Sequence, residues 1–395
     1  MINSKTIVSV LTLSALAASA PTLSSNFSIN LVPINVPRVH PAAKYARAHT
    51  KYGVDIPDYL ALAARSGNPG NNGQADSVAT NSIQHDTVYL SPIRVGNNEV
   101  LLVIDSASGD LWVKTRNTPG AGPRTYDPRT GTPLPYYYWN VQYSDGSRVG
   151  GKVYKDRVQV GNVTCLNQAV GVADYLSSPQ VVFRNVLDGV MGVAFSSMNK
   201  VKPVRQNTFY ENVKTSLRIP VFAAYLKHQA PGAFDFGWID SNKYTGEITY
   251  TGVDPTNGYW TITCDGFSIG DTISVLHSFH AIVDTGTTLV ILEELVVRTY
   301  YFQIRSAYFD FSFGGWVFDC NETPPSFTIK IGPHNGVIPG EYINYENLGS
   351  VCYGGIQPSS RPNHNILGVM FLKSQYVIFD DGISGHPRIG FATQA

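Results

Sequence analysis

The sequence predicts a mainly β, bilobal fold, in which two homologous lobes face each other across a cleft. Three observations lead there. Turn formers and aromatics abound, with 36 Gly, 24 Pro, 23 Tyr and 18 Phe, while long helical periodicity is scarce. An apolar run that ends in an aspartate and a hydroxyl-rich turn occurs twice. The first copy is Leu101-Leu102-Val103-Ile104-Asp105-Ser106-Ala107-Ser108, the second Ala281-Ile282-Val283-Asp284-Thr285-Gly286-Thr287-Thr288. Each is followed by two apolar residues and a glycine, Val190-Met191-Gly192 and Ile366-Leu367-Gly368, 87 and 84 residues beyond its aspartate. Matching elements in matching order at nearly equal spacing indicate an internal repeat, with the glycines marking strands that another backbone approaches closely.

At 395 residues the chain can fill two lobes and a large core. Apolar residues make up 43% and charged ones 15%, a globular balance. A formal charge of zero gives no reason to expect nucleic acid. No apolar run is long enough to span a bilayer. With no C-x-x-C or H-E-x-x-H spacing and nine scattered histidines, neither metal nor cofactor is expected.

In chain order, Lys5, the apolar stretch Ile7 to Ala17 and the small-residue site Ala18-Ser19-Ala20 read as a signal peptide over 1–20, hence a secreted, extracellular protein. Residues 21–76, rich in Pro, Ala, Asn and Gly, read as a pro-segment with a basic cluster of Lys44, Arg47 and Lys51. A flexible, cleavable linker follows at Gly67 to Gly73. The other reading of this stretch is a disordered tail. Six basic residues and three acids precede residue 80, so shedding them leaves 23 basic and 26 acidic residues. A basic segment held by charge on an acidic body is the expectation. The body, 77–395, divides into lobes of about 77–240 and 241–395. Lys152 to Val160 and Phe327 to Ile331 alternate as strands; Thr208 to Leu217 and Glu293 to Phe302 carry brief helical patterns. Cys320 and Cys352 share a turn-rich stretch and are expected to pair, whereas Cys165 and Cys264 can be a disulfide or two buried thiols. Asn162-Val163-Thr164 and Asn321-Glu322-Thr323 are glycosylation sequons.

Two aspartates leaving buried strands into tight turns suit one chemistry. Carboxyls within hydrogen-bonding distance do not both ionise cheaply, so the pair holds one proton and titrates as a unit. A water between them gives a proton to the ionised partner and attacks a peptide carbonyl, while the protonated partner supplies a proton to the carbonyl oxygen.

On these motifs, and on Tyr143-Ser144-Asp145-Gly146-Ser147, Asp188-Gly189-Val190-Met191-Gly192, Lys243-Tyr244-Thr245-Gly246 and Phe371-Leu372-Lys373-Ser374-Gln375-Tyr376, the chain resembles the pepsin-family aspartic proteases. It is most similar to the secreted fungal aspergillopepsin–penicillopepsin group. The resemblance implies a pepsin-like fold and a monomeric endopeptidase made as a zymogen, cutting extended peptides at acidic pH without cofactor. By position, it implies catalytic roles for Asp105 and Asp284. Ser106 and Thr285 would hydrogen-bond across the lobe interface, Ser108 and Thr287 would bond the outer carboxylate oxygens, and Gly286 would complete the second turn. Tyr143 would belong to a flap over bound peptide, with Trp112 as its hydrogen-bonding partner, Gly146 at the flexible tip and Asp145 accepting a substrate lysine. Lys51 and Tyr52 resemble a pro-segment pair whose ammonium blocks the dyad.

Four positions depart from the family, the mildest being Ser106 for threonine, which keeps the hydroxyl and loses only a methyl. Ala107 stands where glycine is usual, and strain of about 1–3 kcal/mol follows if the turn needs glycine-only dihedrals. Val369 replaces an aspartate near the second loop, altering the proton balance of the pair, and Ser144 replaces a flap glycine. The alternative function is therefore a catalytically weakened, peptide-binding pseudoprotease.

Overall fold

Strand alternation is visible in burial. Phe327–Ile331 buries every second residue, and Ile273–Val283 alternates until its last three residues, all buried, run into the Asp284 turn. The computed structural model describes residues 27–30, 32–33, 40–66, 89–142, 148–177, 187–382 and 385–395. The expected signal peptide, the linker at 67–73 and the flap residues Tyr143, Asp145 and Gly146 lie outside the described residues.

Four sheets carry the described strands. A nine-stranded sheet takes Tyr89–Val95, Asn98–Asp105, Leu111–Val113 and Gly189–Gly192 among its members, and Arg94 and Val95 also pair with Gln159 and Val158, closing it on itself. A seven-stranded sheet takes Ile273–Val283, Val290–Leu292 and Asn365–Leu367 from the second half. The two share one local topology. Asn98–Asp105 runs parallel to Gly189–Gly192, which pairs antiparallel with Leu111–Val113. Ile273–Val283 runs parallel to Asn365–Leu367, which pairs antiparallel with Val290–Leu292. The sequence repeat is thus a structural repeat.

A six-stranded sheet joins the halves, in the order Phe27–Asn30, Ala230–Phe236, Val221–Lys227, Gln375–Asp380, Arg388–Gln394 and Tyr244–Gly252. Beneath the two aspartate turns Trp260 is fully buried, its Nε1 donating to the Val193 carbonyl at 3.1 Å and its ring packing on Phe195, Phe222 and Phe379. Its carbonyl accepts from Val283 N–H at 3.0 Å. One side chain thereby ties both halves together under the site.

Residues 40–66 form two helices, α1 (Pro41–Lys51) and α2 (Asp58–Ser66), rather than a structureless tail. His40 caps α1, its Nδ1 accepting from Ala42 N–H, and Pro41 occupies the first turn, where its missing N–H has no intrahelical partner to lose. Among the brief helices of the body, Phe209–Val213 and Glu294–Tyr301 fall in the two stretches with helical patterns, and Gly340–Ile343 and Val369–Leu372 are two more. Cys320 and Cys352 form a disulfide with Cα atoms 4.9 Å apart, while Cys165 and Cys264 are free thiols, Cys264 buried.

The repeat glycines sit where backbones touch. A Cβ on Gly192 would lie 2.3 Å from the Ser108 carbonyl oxygen, and one on Gly368 would lie 2.2 Å from that of Leu289. Gly192→Ala and Gly368→Ala are each expected to destabilise the protein by about 1–3 kcal/mol through overpacking, read as a lowered thermal unfolding midpoint. An unchanged midpoint would mean that the loops yield without strain.

Candidate active site

Each aspartate builds its own turn. Asp105 closes the strand Asn98–Asp105, and Ala107 N–H donates to its Oδ1 at 2.9 Å. Asp284 follows Ile273–Val283, and Gly286 N–H donates to its Oδ1 at 2.8 Å. A side-chain oxygen that accepts the N–H two residues on reverses the chain locally. The aspartates are thus held at the ends of central strands.

Hydroxyls lock the two turns to each other. Thr285 N–H donates to Ser106 Oγ at 2.9 Å, and Ser106 N–H to Thr285 Oγ1 at 3.0 Å. Each hydroxyl passes its own proton across to the other half, Ser106 Oγ to the Val283 carbonyl at 2.9 Å and Thr285 Oγ1 to that of Ile104 at 2.8 Å. Serine performs here everything the threonine hydroxyl does opposite. The approach is close enough that a Cβ on Gly286 would meet Asp105 Cγ at 2.6 Å. Among the described residues, positive φ outside glycine occurs only at Tyr136, Gln229 and Asn363. The conditional strain at Ala107 therefore does not arise, because its turn lies in the ordinary backbone region.

Both carboxylates are buried, Asp105 at 7% and Asp284 at 0% exposure. The end of α1 supplies their countercharge. Lys51 Nζ lies 2.8 Å from Asp105 Oδ1 and 2.7 Å from both oxygens of Asp284, and the Tyr52 hydroxyl donates to Asp284 Oδ2. Burial pushes the Asp284 carboxyl up, but the Lys51 charge and hydrogen bonds from Lys51, Thr287 and Tyr52 outweigh it and hold the carboxyl below its usual range. Burial, then the charges of Asp284 and Asp105, pushes the Tyr259 phenol up to about 12.

Thr287 makes the expected bond to its carboxylate; Ser108 does not. Its buried Oγ has no hydrogen-bond partner among the described residues, and Asp105 Oδ1 is turned to Lys51 and the Ala107 N–H instead. Trp112 is buried and stacked on Trp139 at 5.8 Å. With Ala107, Val141, Val190 and Met198 it lines a cavity beside Asp105 into which Arg47 and Lys51 reach. Val369 is buried, and its N–H donates to the Thr287 carbonyl at 2.7 Å.

Residues 88–394 match the family model described as eukaryotic aspartyl protease. The chain belongs to that family. It is 49% identical to penicillopepsin-1 of Talaromyces stipitatus and 44% identical to aspergillopepsin-1 of Aspergillus fumigatus, in both cases over the full length of both chains. Its fold matches the crystal structure of an aspartic proteinase from Irpex lacteus, at 23% identity and a TM-score of 0.65, covering 78% of this chain and 95% of that one. The protein is an aspartic-type endopeptidase of the pepsin family, with a peptide or protein substrate.

Sequence reasoning did not single out His49, His364, Tyr345 or Glu346 around the protease's cleft. His49 Nε2 accepts from Ser360 N–H at 3.2 Å, and its Nδ1 lies 3.2 Å from the Tyr45 carbonyl. The His364 ring packs edge-on against Tyr52 at 4.9 Å. The seven-residue spacing of Lys44 and Lys51 fits two turns of one helix face, but no helix is expected there from sequence, so the spacing points to none of these contacts.

The interlocked hydroxyls yield a direct test. Ser106→Ala and Thr285→Val each strand a buried N–H and a buried carbonyl, and each is expected to reduce unfolding stability by about 1–3 kcal/mol. The double variant should lose less than the sum, because the four bonds form one network; chemical denaturation of all three variants measures it.

Proposed function

We propose that Asp105 and Asp284 are the catalytic pair of a secreted acid endopeptidase made as a zymogen, and that Lys51 and Tyr52 are its inhibitory plug. One observation carries the reading: a single ammonium is held by both buried carboxylates. With the plug withdrawn, a water takes the place of the ammonium. One carboxylate accepts its proton while the other, protonated, gives its own to the scissile carbonyl oxygen. Thr287, Gly286 and Ala107 orient the carboxylates by hydrogen bonds, and Ser106 with Thr285 fixes the two turns relative to each other.

The apolar wall of Trp112, Val141, Val190 and Met198 beside Asp105 supports a preference for large apolar residues next to the scissile bond. The boundaries proposed are a leader over 1–20, a removable segment over 21–76 and a body from 77 whose lobes meet near 240. Asp145 is retained as a proposed selector of substrate lysine, on sequence grounds. Asn162 and Asn321 are exposed, as acceptors of glycan must be, although the Asn321 amide donates to Asp319 at 3.0 Å. The weakened-protease alternative rested on Ala107 and Val369, and for Ala107 on strain in its turn. With ordinary φ and an intact N–H bond there, Ala107→Gly is expected to change kcat by less than about threefold, since no strain remains to be relieved.

Cleavage of denatured haemoglobin or casein from about pH 2.5 to 7, with and without a pepstatin-type inhibitor, tests the reading. Asp105→Asn and Asp284→Asn are each expected to lower the rate by about 10²–10⁴-fold. Inhibitor-insensitive cleavage, or full activity in either variant, would overturn it.

Acid should release the plug in two windows. His49 and His364 are each lowered from 6.5 to about 4, both chiefly by burial, His364 also by Arg361 and His49. Tyr45, Ser360 and His364 lie beside His49, and none of them is an acid that offsets its protonation. A base whose pKa is depressed on docking stabilises docking fully above its free value, and that contribution is lost as pH falls from 6.5 towards 4. Asp284, lowered from 3.8 by the plug, adds stability that is lost only below that value. His49→Gln, neutral throughout, is expected to move the midpoint of self-processing to lower pH. Electrophoresis of the full chain incubated across that range measures it, and an unchanged midpoint would remove His49 from the trigger and leave it to His364 and Asp284.

A further inference from the structure

The plug has a second basic anchor. Lys44, two helical turns before Lys51 on the same face of α1, places its Nζ 2.6 Å from the Tyr345 hydroxyl and 3.4 Å from Glu346 Oε2. Tyr345 is 1% and Glu346 4% exposed beneath it. Both lie on the strand Asn344–Asn347, whose partner strand carries the disulfide. Glu346 pairs with Tyr353, and Asn347 with Cys352. A carboxylate and a phenol on a strand cross-linked in this way are held ready before any ligand arrives. Seven residues of helix rise about 10 Å, the span of about three residues of extended peptide.

We propose that Tyr345 and Glu346 form a substrate subsite of the mature enzyme that selects a lysine or arginine about three residues from the scissile bond, with Lys44 as its occupant in the zymogen. The inference rests on the reading of Asp105 and Asp284 as the catalytic pair and of α1 as a plug lying in the substrate cleft. Withdrawal of α1 takes the Lys44 ammonium away from Glu346 and opens the carboxylate to the cleft. A cationic substrate side chain then re-forms the same charge-assisted contact, which a neutral side chain of equal length does not make. The site is separate from Asp145, which was assigned to the residue next to the scissile bond. The preference belongs to a fixed strand of the second lobe.

The experiment uses the full chain after self-processing in acid. Peptides share one apolar pair at the scissile bond and carry lysine, arginine, norleucine or glutamate at each position two to four residues away, on either side. The reading is the ratio of kcat/KM for lysine over norleucine within each enzyme. The expected result is a ratio of about five to ten at one position, the effect of one charge-assisted hydrogen bond. It should fall towards one in Glu346→Gln and turn to favour glutamate in Glu346→Lys. The charge-swapped variant guards against mere loss of fold, since a reversed preference requires an intact cleft. Norleucine peptides cut without any lysine preference, or a preference that survives in Glu346→Gln, would overturn the subsite alone. Failure to cut any peptide would overturn the reading of the dyad, and the subsite with it.

Discussion

Two carboxylates buried side by side need compensation, and the surrounding structure is organised around supplying it. Each receives an N–H from its own turn, and Asp284 also receives the Thr287 and Tyr52 hydroxyls. What remains is charge, and the Lys51 ammonium between them meets it. The backbone is fixed to match. Central strands deliver the aspartates, Gly192 and Gly368 let the turns close against neighbouring strands, and the Ser106–Thr285 exchange sets the separation of the halves. A shift of any of these would leave a buried charge or a buried N–H unpaired, which costs more than the bond itself contributes.

The repeat makes the exceptions informative. At Gly286 a methyl would strike the Asp105 carboxylate. Ala107, at the corresponding point of the other turn, carries that methyl and lines the cavity with Trp112 and Val190. The two halves share topology without sharing space. Both turns line the cavity, but one is packed against a carboxylate, while the other has room for a methyl that adds an apolar surface. The departure from the family at Ala107 therefore bears on the shape of the cavity wall rather than on the pairing of the aspartates.

Legibility in the sequence followed the range of the interactions. The aspartate turns, the glycine steps and two of the short helices of the body were readable because a turn or a helix face depends on near neighbours. The helices α1 and α2 were not, since most of their stability comes from surfaces far along the chain. His49 meets Ser360, and Lys44 meets Glu346, across about three hundred residues. No local pattern encodes such a pair. The sign of φ at Ala107 was equally out of reach, because residue type restricts dihedrals without choosing among the allowed ones. Ser108 shows the converse, where a position with the right residue leaves its buried hydroxyl without a hydrogen-bond partner among the described residues.

The N-terminal segment is engaged with the body at three levels. Phe27–Asn30 forms the edge of the six-stranded sheet against Ala230–Phe236, α1 reaches the dyad, and the Tyr59 ring of α2 packs on Phe309 and Phe311. A single titrating contact would be a weak lever against so extensive an attachment. In the proposed release, groups that give up their docked state at different acidities would divide the work: the histidines against the second lobe weaken the helix first, and Asp284 loses its hold on Lys51 after it. The order matters physically. While both carboxylates stay charged the ammonium is the most favourable occupant of the site, so the helix must loosen elsewhere before water can compete for the dyad.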